Sequence, residues 1–282
     1  MKTGFNLLLW TSHVTEEHFP LIEKLAKAGY DGVEIPILEG TPAYYEKVRR
    51  VISDNGLACT AVTNMPDQQT NAVSPDRAQR EKADAFMRNC IDCTKTIGAS
   101  LLVGPFYQPV GVFTGSGPTD VELGRATEHA RKAAEHAQKA GVTLAVEALN
   151  RFEAYVLTTM DQVADHVKAV GMPNYRAMMD TFHANIEENN VVESIRRHRD
   201  ILVHVHTSEN NRGVPGRGHQ DWKGIFSLLR STGYDGWLTI ESFGRVLPAF
   251  AAATRIWRDI FESPEAVYTE GIRFLRTSWE AA

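Results

Sequence analysis

Cysteine is scarce in these 282 residues: only Cys59, Cys90 and Cys93 occur. An odd, sparse set does not build a disulfide framework, so packing has to hold the core, and a reducing cytoplasm is the expected compartment. Cys90 and Cys93 do form a C-x-x-C. They fall inside the charged, periodic run from Arg77 to Ile97, which reads as mid-helix. A redox pair gains its low thiol pKa at a helix N-terminus, so a redox role is set aside. An excess of basic charge is also missing: 30 Lys and Arg stand against 35 Asp and Glu, a formal net charge of −5. That balance argues against nucleic acid or an anionic membrane as the main partner. No apolar run reaches the ~20 residues that a bilayer-spanning helix needs. The opening stretch, Met1 to Trp10, has one Lys, a short apolar run and no small-residue cleavage site. It reads as a first strand and not as a secretion signal.

What the chain does have is alternation. Apolar runs read as strands at Phe5 to Trp10, Gly32 to Ile35, Leu57 to Val62, Ser100 to Val103, Leu144 to Glu147, Arg176 to Asp180, Ile201 to His206 and Gly236 to Glu241. Helical patterns fall between them. The first is capped by Thr15 and ends at Ala28-Gly29; the second runs from Pro42 to Asn55 and is closed by Gly56. Others run from Ser74-Pro75 to Ile97, Asp120 to Ala140, Thr159 to Val170, Ile186 to His198 and Trp222 to Ser231. Two further stretches, Val246 to Phe261 and Pro264 to Trp279, close the chain. Strand and helix in strict alternation imply a parallel sheet. Eight such units at ~30 residues each imply a closed (β/α)8 TIM barrel. The expectation is one domain over residues 1–282 with an extra C-terminal helix. A doubly wound sheet is the alternative, but it usually carries a Gly-rich phosphate turn after strand one. Here that position reads Trp10-Thr-Ser-His-Val14.

The last four strands share a grammar. Each is an apolar run that closes on a potential ligand: Glu147, Asp180, His206 and Glu241. Barrel enzymes place their chemistry at the carboxyl ends of strands, where such residues face one another around one mouth. Three carboxylates and one imidazole suit an octahedral Mn²⁺, Mg²⁺ or Co²⁺ better than a structural zinc, and leave positions for a bidentate substrate. Taken singly, any of these acids could instead cap a helix or pair across the rim. Glu34, in the second strand, reads as a barrel-core or rim acid. In His204-Val-His206 the period of two puts both histidines on one face. The one at the carboxyl end is favoured as a ligand, and His204 reads as an interior histidine.

At these residues the chain resembles a known family. V-E-A-L-N-R-F-E at 146–153, M-D-T-F-H at 179–183, H-V-H-T-S-E-N-N-R-G-V-P-G-R-G at 204–218 and T-I-E-S-F at 239–243 are similar to the ketose 3-epimerases of the xylose-isomerase-like barrel group. These are the D-tagatose, D-allulose (psicose) and L-ribulose 3-epimerases. The resemblance covers nearly the whole chain. It implies a (β/α)8 barrel with one divalent metal, usually Mn²⁺, held by Glu147, Asp180, His206 and Glu241. It also implies substrate contacts from Glu153, His183 and Arg212, and assembly as a homodimer or homotetramer. The chain departs from the pattern at Thr158-Thr159, where the family often has Asn-Thr; Thr still caps a helix. Tyr107 and Phe113, in the loop after the fourth strand, are candidates for an aromatic wall but are not assigned to the site.

Inverting carbon 3 of a ketose means removing a weakly acidic proton beside a carbonyl and returning one to the opposite face. A cation chelated by the oxygens on carbons 2 and 3 favours this as a Lewis acid. Two acid/base groups are then needed, one per face, and Glu147 and Glu241 fit. His183 and Arg212 would hold the oxygen on carbon 2. Glu153 would accept from a sugar hydroxyl or orient Arg212. The nearest rival is an aldose–ketose isomerase of the same barrel group, such as a hydroxypyruvate isomerase, which shares the metal site. A metal-assisted endonuclease would need more His ligands and a basic groove, and a non-catalytic sugar binder needs no two-sided carboxylate pair. A free ketose is expected over a sugar phosphate, with Arg217 in Pro215-Gly-Arg-Gly218 as the group that could take an anion.

Overall fold

The computed structural model describes residues 1–282 and contains a closed barrel of eight parallel strands in sequence order, β1 pairing with both β2 and β8. The strands are β1 (Lys2–Asn6), β2 (Gly32–Pro36), β3 (Ala58–Val62), β4 (Leu101–Gly104), β5 (Thr143–Glu147), β6 (Tyr175–Asp180), β7 (Leu202–His206) and β8 (Trp237–Ile240). The helices are α1 (Phe19–Ala28), α2 (Pro42–Asp54), α3 (Arg77–Thr96), α4 (Asp120–Ala140), α5 (Met160–Val170), α6 (Thr181–Glu187), α7 (Val191–His198), α8 (Trp222–Ser231), α9 (Pro248–Ala253) and α10 (Pro264–Ala281). The expected (β/α)8 barrel with an additional C-terminal helix is therefore what forms. No helix is long and apolar enough to cross a membrane.

Period-two alternation sorts each strand into two environments. Phe5, Val33, Ile35, Ala61, Leu144, Val146, Ala177, Val205, Leu238 and Ile240 belong to the main apolar cluster shared with the helices. The intervening Val62, Ala145, Met178 and Trp237 belong to a separate, smaller cluster inside the barrel. Glycine makes room for that interior. A Cβ on Gly32 would stand 2.5 Å from both the Ala58 carbonyl oxygen and the Trp237 ring. At Gly104, φ is +132° and a Cβ would fall 1.9 Å from the Thr63 oxygen, so only glycine lets β4 turn out of the barrel there.

Several boundaries differ from the sequence reading. β1 stops at Asn6, and Leu7–Leu9 form a 3-10 turn because the Asn6 side chain accepts from the Leu8 amide. Glu16–His18 are likewise a 3-10 turn before α1. α3 is capped by Asp76, whose side chain accepts from Ala78 N, and not by Ser74. The single helix expected over 186–198 is two. Glu188 is extended, and Asn190 opens α7 by accepting from Glu193 N. The helix expected over 246–261 is only α9. Arg255 takes a left-handed φ of 62°, and Ile256 and Ile260 then pack into or against the small cluster at the mouth. Thr159 does cap α5, in a reciprocal pair with Gln162. Cys90 and Cys93 lie within α3, free, and burial pushes both thiols up to about 12.

Candidate active site and metal centre

Consecutive strands bring the four strand-end residues together. β5 ends on Glu147, β6 on Asp180 and β7 on His206, while Glu241 directly follows β8. All four are buried, and their candidate ligand atoms lie within 4.8 Å of one another. His206 tests whether a cation fits. Its Nε2 is 2.7 Å from Glu34 Oε1. Its Nδ1 is buried without a hydrogen-bond partner and faces Glu241 Oε2 at 3.4 Å and Asp180 Oδ2 at 3.9 Å. An imidazole anchored at one nitrogen, with the other aimed among carboxylates, is the arrangement of a histidine metal ligand. The donor set suits a hard or borderline divalent cation. The residues present fit the group.

Arg212 sits over the same centre. Its Nη1 donates to Asp180 Oδ2, to Glu241 Oε2 at 2.8 Å and to Ser208 Oγ at 3.1 Å. The guanidinium lies between the Phe182 and Phe243 rings, 4.1 and 4.5 Å from their centroids. Its backbone takes a left-handed φ of 63°, which costs a non-glycine residue ~1–3 kcal/mol and persists only where the surroundings enforce it. Glu209 does the enforcing. Fully buried, it accepts from the amides of Asn210, Gly216 and Gln220 and from Trp222 Nε1, fixing the loop on both sides of Arg212.

His183 lies beside Arg212. Its Nδ1 faces the Asn150 backbone amide at 3.0 Å and so must accept. The neutral ring then carries its proton on Nε2, consistent with burial and the Arg212 charge, which lower its pKa to about 3. Nε2 is 2.9 Å from Arg212 Nη2. Both atoms are donors, so they do not satisfy each other; they converge on one point where an oxygen would be held. Glu153 does not contact Arg212 as one expectation had it. Its Oε1 accepts from Asn150 Nδ2 at 3.0 Å, and Asn150 in turn holds His183.

The two candidate acid/base groups are polarised in opposite directions. Burial, with Glu241 and Asp180 nearby, holds the Glu147 carboxyl well above the usual range. For Glu241 burial also opposes ionisation, but His206 and Arg212 outweigh it and bring the group to about 2. Glu147, Glu153, His183, Arg212 and Glu241 line a cavity of about 720 Å³ at the barrel mouth. Its opposite wall comes from the N-terminal half and is mixed, with apolar Leu8, Leu38 and Val62 beside polar Asn64, Asp67 and Gln68. Tyr107 and Phe113 are not part of the lining. Tyr107 is buried and donates to Leu157 O, and Phe113 is exposed against Tyr155.

Residues in the N-terminal strands were missed as part of the site. Asn6, Glu34 and Thr60 form a buried hydrogen-bonded row under His206 and Glu241. Glu34 was noticed as a core or rim acid, and it is fully buried. Its partner His206 lies 172 positions away, so spacing gave no signal.

A closed parallel barrel with clustered acids and a histidine at its carboxyl mouth defines a barrel enzyme of acid–base or metal-assisted type. Comparison with known proteins narrows the class. The sequence profile of the xylose isomerase-like TIM barrel family matches residues 22–278. A D-psicose 3-epimerase of Agrobacterium fabrum is 33% identical over 267 residues, covering 92% of this chain and 91% of that protein. An L-ribulose 3-epimerase of Mesorhizobium japonicum is 28% identical and covers 100% of this chain and 95% of the relative. A solved D-psicose 3-epimerase from Clostridium cellulolyticum H10, determined with D-tagatose, superposes with a TM-score of 0.90 at 31% identity, over 99% of this chain and 98% of that one. The chain belongs to the xylose isomerase-like TIM barrel family and, within it, to the ketose 3-epimerases, enzymes of the isomerase class.

Proposed function

We propose that this enzyme inverts free ketoses at carbon 3, with D-allulose, D-tagatose and L-ribulose as the type of substrate, and with Mn²⁺, or Co²⁺ or Mg²⁺, held by Glu147, Asp180, His206 and Glu241. The observation that carries the proposal is the placement of Glu147 and Glu241 at the mouth of one cavity, around the converging nitrogens of His183 and Arg212. The names of the related proteins, solved with D-allulose and with D-tagatose, support the sugar class. One of Glu147 and Glu241 takes the carbon-3 proton from one face, and the other returns one to the opposite face; in the reverse direction the roles exchange. His183 Nε2–H and Arg212 Nη2–H receive the negative charge that develops on the oxygen of carbon 2. When bound, the cation supplies Lewis acidity beside that oxygen. Glu153 accepts from a sugar hydroxyl with the oxygen not given to Asn150.

A free sugar is favoured over a phosphate because Arg217 is already spoken for. Its Nη1 meets Glu262 at 2.8 Å and its Nη2 meets Glu270 at 3.0 Å. Assembly as a homodimer or homotetramer and residence in the cytoplasm belong to the same reading. Light scattering checks the first, and the free thiols support the second. The test of function is a panel of free ketoses incubated with the Mn²⁺-loaded enzyme, followed by chromatographic separation of products. Carbon-3 epimers are expected. Aldose products in their place would identify an aldose–ketose isomerase, and a terminal phosphate preferred by about tenfold in kcat/KM, ~1.4 kcal/mol of transition-state binding, would overturn the free-sugar assignment.

A further inference from the structure

Beneath the strand-end residues runs a second layer of polar side chains, contributed entirely by the opposite half of the barrel. Strand register sets it up. Asn6 of β1 is paired with Glu34 of β2, and Glu34 with Thr60 of β3, so three inward-facing polar residues stand side by side. All are buried.

The hydrogen bonds leave little freedom. Asn6 Oδ1 accepts from the Leu8 amide at 2.9 Å, which fixes the side-chain flip by a backbone donor. Its Nδ2 therefore points inward, donating to Glu34 Oε1 at 3.0 Å and to Glu241 Oε1 at 2.8 Å. Glu34 Oε2 accepts from Thr60 Oγ1 at 2.8 Å and lies 3.0 Å from His204 Nε2. Glu34 Oε1 also accepts from His206 Nε2 at 2.7 Å. A carboxylate offers only acceptors, so the proton between Glu34 and His206 resides on Nε2, and Nδ1 is the nitrogen turned toward the centre.

We propose that Glu34, braced by Asn6 and Thr60, is a positioning residue for the cation: it selects the His206 tautomer that presents Nδ1, and through Asn6 it sets the Glu241 carboxylate with Oε2 inward. The proposal rests on the metal reading of the proposed function. A carboxylate behind a ligating imidazole orients the ring and raises its basicity, and losing it commonly lowers metal affinity about 10- to 100-fold. Glu34 and Asn6 thus make β1 and β2 part of a centre whose four direct ligands all come from β5 to β8 and its end.

The experiment is a Mn²⁺ titration of the full chain, with free Mn²⁺ read by electron paramagnetic resonance, on wild type, Glu34→Gln and Thr60→Val. Glu34→Gln keeps the shape and removes the charge, and its Mn²⁺ dissociation constant should rise by about tenfold or more. Thr60→Val keeps the charge and removes one brace, and should move affinity in the same direction by less. A Glu34→Gln constant within about threefold of wild type overturns the proposal, since a residue that merely fills the barrel would not set metal affinity. Nitrogen NMR of wild-type protein carrying ¹⁵N-histidine, with and without Mg²⁺, needs no variant to fold. The proposal expects a proton on His206 Nε2 and a metal-induced shift at Nδ1, and the opposite tautomer overturns it. If wild type itself takes up no saturable Mn²⁺, the metal reading falls and this proposal with it. Tight wild-type binding with an unchanged Glu34→Gln variant sinks the positioning role alone.

Discussion

Arg212 concentrates more of the site's electrostatics than any other side chain. It neutralises Asp180 and Glu241, aims a second nitrogen beside His183 and is clasped by two aromatic rings. A lysine can supply the charge but not the planar fork or the double stacking. Arg212→Lys should therefore lower kcat/KM by about 100-fold or more, the scale on which a donor to developing charge acts. Steady-state kinetics on the ketose found in the panel decide this, and a loss under about tenfold would remove Arg212 from the oxygen-binding role. The paired glutamates make a sharper prediction. Glu147→Gln and Glu241→Gln should each abolish net epimerisation while one epimer still exchanges its carbon-3 hydrogen with solvent, because one face keeps its proton carrier. Proton NMR in D₂O reads both outcomes at once; near-normal epimerisation by either variant would refute the two-carboxylate mechanism. The two glutamates were legible in the sequence because each closes an apolar run, and a strand end in a barrel points to the shared mouth; Arg212, in a loop, came only from the family resemblance.

Among the elements, α3 and α4 are joined by an ion-pair cluster that has no part in the chemistry. Asp84 of α3 meets His129 Nδ1 at 2.6 Å and Lys132 Nζ at 3.1 Å, both from α4. Burial alone would raise the Asp84 carboxyl, but the hydrogen bonds and charges of His129 and Lys132 reverse that and hold it below its ordinary value. A depressed folded value stabilises at pH above the unfolded pKa of ~3.9 and stops doing so as pH falls through the folded value. Asp84→Asn should cost about 1–2 kcal/mol at pH 7, and the difference from wild type should shrink below about pH 4. Urea unfolding at both pH values checks it; a gap that persists in acid would mean the side chain acts by packing. Elements were less legible where tertiary contacts override local pattern. The run Pro248 to Ile260 looks helical, yet Arg255 breaks it so that Ile256 and Ile260 can reach the apolar cluster at the mouth. The break at Asn189-Asn190 between α6 and α7 was missed, although Asn is a favoured helix cap and Asn190 takes that place here.

For the whole molecule, candidate ligands drawn from four strand ends would make cation binding a tie across half the barrel. Removing the ion with a chelator should abolish activity and lower the unfolding midpoint, and Mn²⁺ should restore both. Saturation at a hundred times the dissociation constant contributes ~2.7 kcal/mol to folded-state stability. Full activity in rigorously metal-free enzyme would refute the metal reading. The fold was legible from strand and helix alternation, and the four clustered residues at the mouth from strand ends, because both are local signals. The braces were not, because Asn6 and Glu241 are 235 positions apart and meet only where β1 pairs with β8. That seam has a consequence for how the enzyme comes into being. A chain still emerging, or one refolding with its first strand undocked, can already possess Glu147, Asp180, His206 and Glu241 yet lack the hand that turns His206 and Glu241 toward the ion. If Asn6 and Glu34 brace the centre as proposed, high-affinity cation capture would be the signature of a finished circle, needing the β1–β8 pairing as well as the ligands themselves.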